Sequence, residues 1–300
     1  MRSPRTWSQK WRSSPFWHGH QPESHFHTFA TCGNVFARMV AVMARQHGLS
    51  HVVDIGAGQG ALAFGIERAA PELHVTGVDL RPAPPGFPGS WLRSHWDGTR
   101  WSTPLPATEP ALFVALEWLD DLPASIVTRR EGVWRHRTLD DGLGPRVDTA
   151  DAAWLDRWWD PGVDEAEVGL TRDRAWAHVA AHAPAGSVLL MVDYGHLRGG
   201  RRSTFAAYRD GHGHPVTSAD ADDANLTAHV AIDAVDAAAR HAGAYRLASV
   251  PLVDVIDALP APRESADPLA ALQERAERAL LTSTATQFWW LCHHIPDTEQ

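Results

Sequence analysis

This sequence predicts an α/β fold of the Rossmann-like class, a mostly parallel, doubly wound sheet, and three observations carry that prediction. His51-Val-Val-Asp-Ile55 is a short apolar run that breaks at Gly56-Ala-Gly-Gln-Gly60. Residues 61–70 then place Leu62, Ile66 and Ala70 four apart, the spacing of a helix face. Residues 74–78 form a second apolar run that ends on Asp79. Strand, glycine turn, helix, strand and acid make the first βαβ unit of such a sheet, with ligand expected beyond the carboxyl ends of its strands.

The remaining elements follow in order. Residues 1–27 are rich in Trp, His and Ser without a period and read as an irregular cap or lid. Phe36, Met39, Val40 and Met43 mark a helix face leading into the first strand. Residues 1–50 are therefore expected as an N-terminal helical cap, and 51–300 as the α/β domain. Residues 81–88 are proline-rich and read as a loop. Ala111-Leu-Phe-Val-Ala-Leu116 is continuously apolar, as a central parallel strand should be. It delivers Glu117-Trp-Leu-Asp-Asp-Leu-Pro123 to the carboxyl edge of the sheet. Residues 125–139 alternate around Glu131-Gly132 and predict a β-hairpin. With the acidic, tryptophan-containing stretch 140–169 they form an insertion near 125–170. Residues 172–181 predict a helix. Ser187-Val-Leu-Leu-Met-Val192 is another buried strand, ending in Asp193-Tyr-Gly-His196. Residues 197–224 are polar and glycine-rich, far longer than an ordinary connection of about 4–6 residues. An insertion near 197–229 with a use of its own is the expectation. Residues 230–242 predict a helix and 245–250 a strand. Asp267-Pro268 reads as a helix N-cap with proline at the first position, and Leu269, Leu272, Ala276 and Leu280 as that helix's buried stripe. Residues 287–295 read as the last strand.

Bulk properties exclude several classes. The 300 residues are 44% hydrophobic, enough for a large core in one α/β domain with insertions. A formal charge of −9 with no Lys/Arg run speaks against nucleic acid as a partner. Lys10 is the only lysine. Cys32 and Cys292 are too few for a disulfide scaffold or a cysteine-based zinc site. No apolar run is long enough to cross a bilayer, and residues 1–16 lack the apolar stretch of a signal peptide. A cytoplasmic chain without membrane contact is expected. The pairs His18/His20 and His25/His27 have no cysteine or H-E-x-x-H context, and His293 and His294 alternate faces of a strand, so no metal is expected. No G-x-S-x-G elbow supports hydrolase chemistry.

Cofactor chemistry turns on one side chain. Gly56, Gly58, Gly60 and Ala61 suit a dinucleotide turn, and Asp79 stands about 20 residues on, where a ribose-binding acid belongs. Asp54, however, sits at the strand end, where a dinucleotide would bring an anionic pyrophosphate. A carboxylate there opposes phosphate and attracts the ammonium and sulfonium of S-adenosylmethionine, which is the favoured cofactor. The candidate catalytic groups follow the central strands. Glu117, Asp120 and Asp121 are carboxylates able to grip a guanidinium bidentately and to take the proton released on N-alkylation. The plainer reading of Asp120 and Asp121, as acids in the first turn of a helix, accounts for them equally well. Tyr194 follows a strand that ends at the same edge and can stack on a substrate. Tyr208, Arg209, Thr227 and His229, in the second insertion, are expected to shape the substrate entrance.

Together these segments resemble the MidA family of S-adenosylmethionine-dependent methyltransferases, which includes a mitochondrial protein-arginine methyltransferase that assists respiratory complex I assembly. Glu117-Trp-Leu-Asp-Asp-Leu-Pro123 is similar to the family's N-E-x-x-D-x-L/V-P segment, and Asp193-Tyr-Gly-His196 to its D-Y-G element. Residues 202–209 resemble its G-T-L-x-x-Y-R run and residues 225–230 its D-[IL]-T-x-H-V. His25-Phe-His-Thr28 and Val35-Phe-Ala-Arg38 resemble the segment before its first strand. The resemblance implies a class I methyltransferase domain and methylation of arginine in a partner protein. Three positions depart from it: Leu116 stands for Asn, Ser203 for Gly, and Asn225 for Asp. The alternatives are a small-molecule methyltransferase or an oxidoreductase on the same fold, and a non-catalytic, cofactor-binding assembly factor.

Overall fold

Val52, Val53 and Ile55 are fully buried because β1 (His51–Ile55) lies between two parallel neighbours. In this computed structural model, which describes residues 5–14, 34–106, 108–199, 201–209, 212–222, 224–259 and 268–297, those neighbours are β2 (His74–Asp79) and β4 (Leu112–Leu116). β3 (Ser90–Arg93) pairs in parallel with the far side of β2. The histidines at 18, 20, 25 and 27, Cys32 and Asp267 lie outside the described residues.

No crossover helix follows β4. The chain turns at Leu119–Leu122, where Leu122 N–H donates to Leu119 O at 3.1 Å. It then forms β5 (Ser125–Arg130), β6 (Val133–Arg137), β7 (Leu143–Arg146) and β8 (Glu165–Val168), an antiparallel sheet in the order β7-β6-β5-β8. The helix-terminus reading of Asp120 and Asp121 is therefore set aside, since no helix begins there. β9 (Val188–His196) pairs with β4 in parallel, Leu112 to Val188 through Leu116 to Val192. The segment expected as a polar excursion contains β10 (Ala206–Arg209), β11 (His212–Pro215) and β12 (Asn225–Thr227), a three-stranded antiparallel sheet. β13 (Val230–Ala231) pairs with Gly195 and His196. β14 (Tyr245–Pro251) and β15 (Phe288–His294) close the main sheet as an antiparallel pair. Its order is β14-β15-β9-β4-β1-β2-β3, the Rossmann-like arrangement the sequence predicts.

The chain divides into two compact units. The sheet unit holds residues 28–118, 177–193 and 239–300. Its helices Asn34–Gln46 and Ala61–Ala69 approach closely: a Cβ on Gly65 would lie 2.6 Å from the Ala37 Cβ. In the helix Pro268–Thr284 the expected stripe is on the wrong face at Leu272, Ala276 and Leu280, the Leu269 side chain lying outside the described ones. Leu272 and Leu280 are 59% and 49% exposed and Ala276 is exposed, whereas Leu281 is buried. Polar contacts explain the rotation. Glu277 accepts from Asn34 N–H (3.1 Å) at the start of helix Asn34–Gln46, and Glu274 pairs with Arg38 (3.5 Å). Glu274, Glu277 and Leu281 therefore share the inward face at helical spacing.

The second unit holds residues 1–27, 119–176 and 194–238. Thr6 and Gln9 form a capping box on helix Trp7–Arg12. That helix buries Trp7 and Trp11 against Ile126, Leu226 and Phe205, with Phe205 stacked on Trp11 at 5.5 Å. The Lys10 ammonium, 11% exposed, pairs with Asp222. A second cluster gathers Trp154, Trp159, Val127, Val168 and Ala234.

Candidate cofactor and active site

The glycine turn of the sheet unit is held by its own amides. Gly56, Gly58 and Gly60 all have positive φ (75°, 56° and 78°), which glycine alone adopts without strain. Gly56 and Ala57 N–H donate to Val78 O (2.8 and 3.1 Å), Gly60 N–H donates to Ala57 O (2.8 Å), and Gly58 N–H donates to Asp79 Oδ2 (3.0 Å). These four donors are spent within the protein and do not form a cradle for pyrophosphate.

Asp54 is 3% exposed, and its Oδ2 has no hydrogen-bond partner among the described residues. Burial, reinforced by the neighbouring Asp79 charge, raises its pKa to about 7. A buried carboxyl lacking a counter-charge fits a cationic ligand and disfavours a phosphate. Asp79 is also buried; its Oδ1 accepts from Arg81 N–H and Nε at 2.9 and 3.1 Å. Aromatic rings wall the turn. A Cβ on Gly56 would come within 2.8 Å of Trp118, which stacks on Trp101 (5.3 Å, 14°), and a Cβ on Gly60 within 2.8 Å of Phe87.

Glu117, half-buried, follows β4 in the left-handed region at φ 50°, its N–H donating to Val192 O at 2.9 Å. A non-glycine residue held there is strained, and such strain gathers at functional positions.

In the second unit one arginine organises the other candidates. Arg172 is 1% exposed and gives its guanidinium to four backbone carbonyls: Asp120 O (2.6 Å), Ala228 O (2.7 Å), Leu122 O (2.9 Å) and His229 O (3.1 Å). Asp120 Oδ2 accepts from Thr227 Oγ1 at 2.9 Å. His229 N–H donates to Thr204 Oγ1 (2.9 Å), and its ring stacks on Tyr194 (5.8 Å, 21°). The buried Glu167 accepts from Ser203 Oγ (2.6 Å), Thr204 N–H (3.0 Å) and Phe205 N–H (3.2 Å). Ser203, one of the three departures, thus holds this loop. His196 Nδ1 accepts from Arg201 Nε at 2.9 Å, so its ring proton sits on Nε2. Arg201 also binds Trp158 O and Asp233. Burial, then Arg201 and His229, lowers the His196 pKa to about 3; burial, then Arg172, lowers that of His229 to about 4.

Asp120, Thr227, Tyr194 and His229 are therefore brought together. Tyr208 and Arg209 are on β10, whose register with β12 sets Ala206 opposite Thr227 and Tyr208 opposite Asn225; there Arg209 pairs with Asp220 (3.5 Å) and Tyr208 packs over Gly213. Asp121 is half-buried in the turn after β4. Sequence reasoning missed Arg81, Arg172, Glu167 and Arg201. Arg81, two residues past the strand-end acid, was the one with a positional signal.

A family described as "Putative S-adenosyl-L-methionine-dependent methyltransferase" matches residues 31–250. The chain belongs to this family. The methyltransferase thus takes S-adenosylmethionine as its cofactor, in keeping with the uncompensated Asp54 and the spent amides of the turn. It is similar to a COG1565 superfamily member from Burkholderia thailandensis solved with S-adenosyl-homocysteine (TM-score 0.73, 20% identity, 99% of this chain and 89% of that one). A second structure of a COG1565 superfamily protein from that organism gives TM-score 0.71 at 19% identity, with the same coverage of 99% and 89%. At these identities the two structures speak for the fold. No curated protein matches the chain.

Proposed function

We propose that this methyltransferase is a MidA-type enzyme that moves the methyl group of S-adenosylmethionine to an arginine side chain of a partner protein. The observation that carries the reading is Glu117, a carboxylate fixed in strained backbone at the end of β4, in a segment similar to the MidA N-E-x-x-D-x-L/V-P run.

The cofactor supplies an electrophilic methyl group on a cationic sulfur. The residues of the chain do the rest. Asp54 compensates the cofactor's positive charge, and Asp79 accepts from its ribose. The Glu117 carboxylate accepts two N–H groups of a guanidinium, which sets the direction of the reacting nitrogen. The Glu117 carboxylate would also accept the proton that this nitrogen gives up on being methylated. Most of the rate gain comes from orientation, which can be worth about 7–11 kcal/mol.

A second reading, a small planar acceptor in place of a protein, is favoured by one observation. Tyr194 and His229 stack as uncharged rings beside Arg172, whose charge discourages a cation there.

The test is Glu117→Gln, which keeps the shape and removes the charge. Methyl transfer from labelled cofactor into arginine of lysate proteins is expected to fall by roughly 10²-fold, with cofactor affinity unchanged. Wild-type turnover in that variant would mean that the catalytic carboxylate is another. Label found only in small molecules would favour the second reading.

A further inference from the structure

Asp79 has less to offer a ribose than its position suggests. Its Oδ1 accepts from both Arg81 N–H and Arg81 Nε (2.9 and 3.1 Å), which fills two lone pairs, and its Oδ2 accepts from Gly58 N–H (3.0 Å), which leaves one. A ribose diol finds a single acceptor position on this carboxylate, so the second ribose oxygen needs another partner.

Arg81 has the chemistry to be that partner. Its side chain is 17% exposed, its guanidinium is aimed by the ion pair with Asp79, and its Nη1 is buried without an acceptor among the described residues. A buried charged donor with nothing to donate to is costly, and a ligand oxygen relieves the cost. The loop behind it is built rather than slack. Trp91 Nε1 donates to Arg81 O (3.0 Å), and Arg93 Nε donates to Leu80 O (2.9 Å). Phe87 packs edge-to-face on Trp91 at 4.8 Å and covers Gly60 and Gly77, where a Cβ would meet its ring at 2.8 Å.

We propose that Arg81 is a cofactor-binding residue whose Nη1 donates to a ribose oxygen of the cofactor's nucleoside half, completing the grip that Asp79 begins. The proposal rests on the assignment of S-adenosylmethionine to this turn.

The test is calorimetric binding of S-adenosylhomocysteine to the full chain as wild type, Arg81→Met, Asp79→Ala and the double variant. Arg81→Met is expected to weaken binding about fivefold to tenfold. A reduced but measurable part of its effect should persist in the Asp79→Ala background, because a direct contact outlives the carboxylate that aims it. An Arg81 that acts only by holding Asp79 predicts no further loss in the double variant, and that result overturns the proposal. Unchanged affinity in the single variant overturns it as well. Absence of wild-type binding is a different outcome: it overturns the cofactor assignment, and this proposal with it. Should the Met variant fail to fold, the Arg81 side-chain N–H resonance of the wild-type chain is the readout. It shifts on addition of S-adenosylhomocysteine if the contact exists; an unmoved resonance overturns the proposal.

Discussion

Asp54 keeps a proton to unusually high pH, and binding should remove it. With its pKa raised to about 7 by burial and then by Asp79, the folded chain holds a proton between about pH 4 and 7 that the unfolded chain has lost. The stability attributable to Asp54 therefore falls as pH rises through that window and is level above it. A cationic ligand favours the ionised carboxylate. S-adenosylmethionine binding at about pH 6 is then expected to release close to one proton, and affinity to climb roughly tenfold per pH unit up to about pH 7 before levelling. Calorimetry in two buffers of different ionisation enthalpy measures the release directly. Asp54→Asn should abolish both the proton release and the pH slope, and a wild type that releases no proton would falsify this role. The neighbouring histidines His196 and His229 behave differently. With pKa values of about 3 and 4, His196 and His229 stay neutral above pH 5 and should leave no limb in the pH profile of turnover.

Arg172 acts on the scale of elements, because one side chain joins the turn after β4 to the segment between β12 and β13. Arg172→Met would strip four carbonyls of a charged donor. A loss of about 3 kcal/mol or more is expected in urea unfolding, since hydrogen bonds to charged groups are worth about 1.5–3 kcal/mol each and water can re-enter at some of them. Arg172→Lys should recover only part of this, because an ammonium cannot reproduce the planar fork. Full recovery by lysine would show that charge alone holds the turn. Ser203→Gly, which restores the residue usual in the MidA family, removes the 2.6 Å donor to Glu167 and is expected to cost about 1 kcal/mol. What the sequence revealed and what it hid divides along similar lines. β1, β2, β4 and β9 were legible because strands buried on both faces read as unbroken apolar runs. Helix Trp7–Arg12 was not, being six residues without room for a period. β10, β11 and β12 were not, because strands of four, four and three residues are too short to show an alternation and sit in a polar, glycine-rich stretch. Arg172 and Arg201 hid for another reason. An arginine in a helix or loop ordinarily belongs to the surface, and only the fold shows the carbonyls gathered around these two.

For the whole molecule, the order of the main sheet decided the fold, and the glycine turn at its carboxyl edge, the candidate cofactor site, was readable as a strand, turn, helix and acid in sequence. The walls of that turn were not, since Phe87 and Trp91 sit in and after a proline-rich stretch that reads only as a connection. Cofactor should protect the folded chain by mass action. S-adenosylhomocysteine at about 100 times its dissociation constant contributes about 2.7 kcal/mol, which thermal melting detects, and an unmoved transition would argue against the assignment. Among the described residues, no helix is long and apolar enough to cross a membrane. The single lysine has a consequence of its own. Because Lys10 is the only lysine in the sequence, acylating reagents have one side-chain address in the chain, and there the side chain is 11% exposed and paired with Asp222. The rate at which an amine-reactive dye arrives there becomes a stopwatch for the fraying of helix Trp7–Arg12, read at one position without engineering a tag.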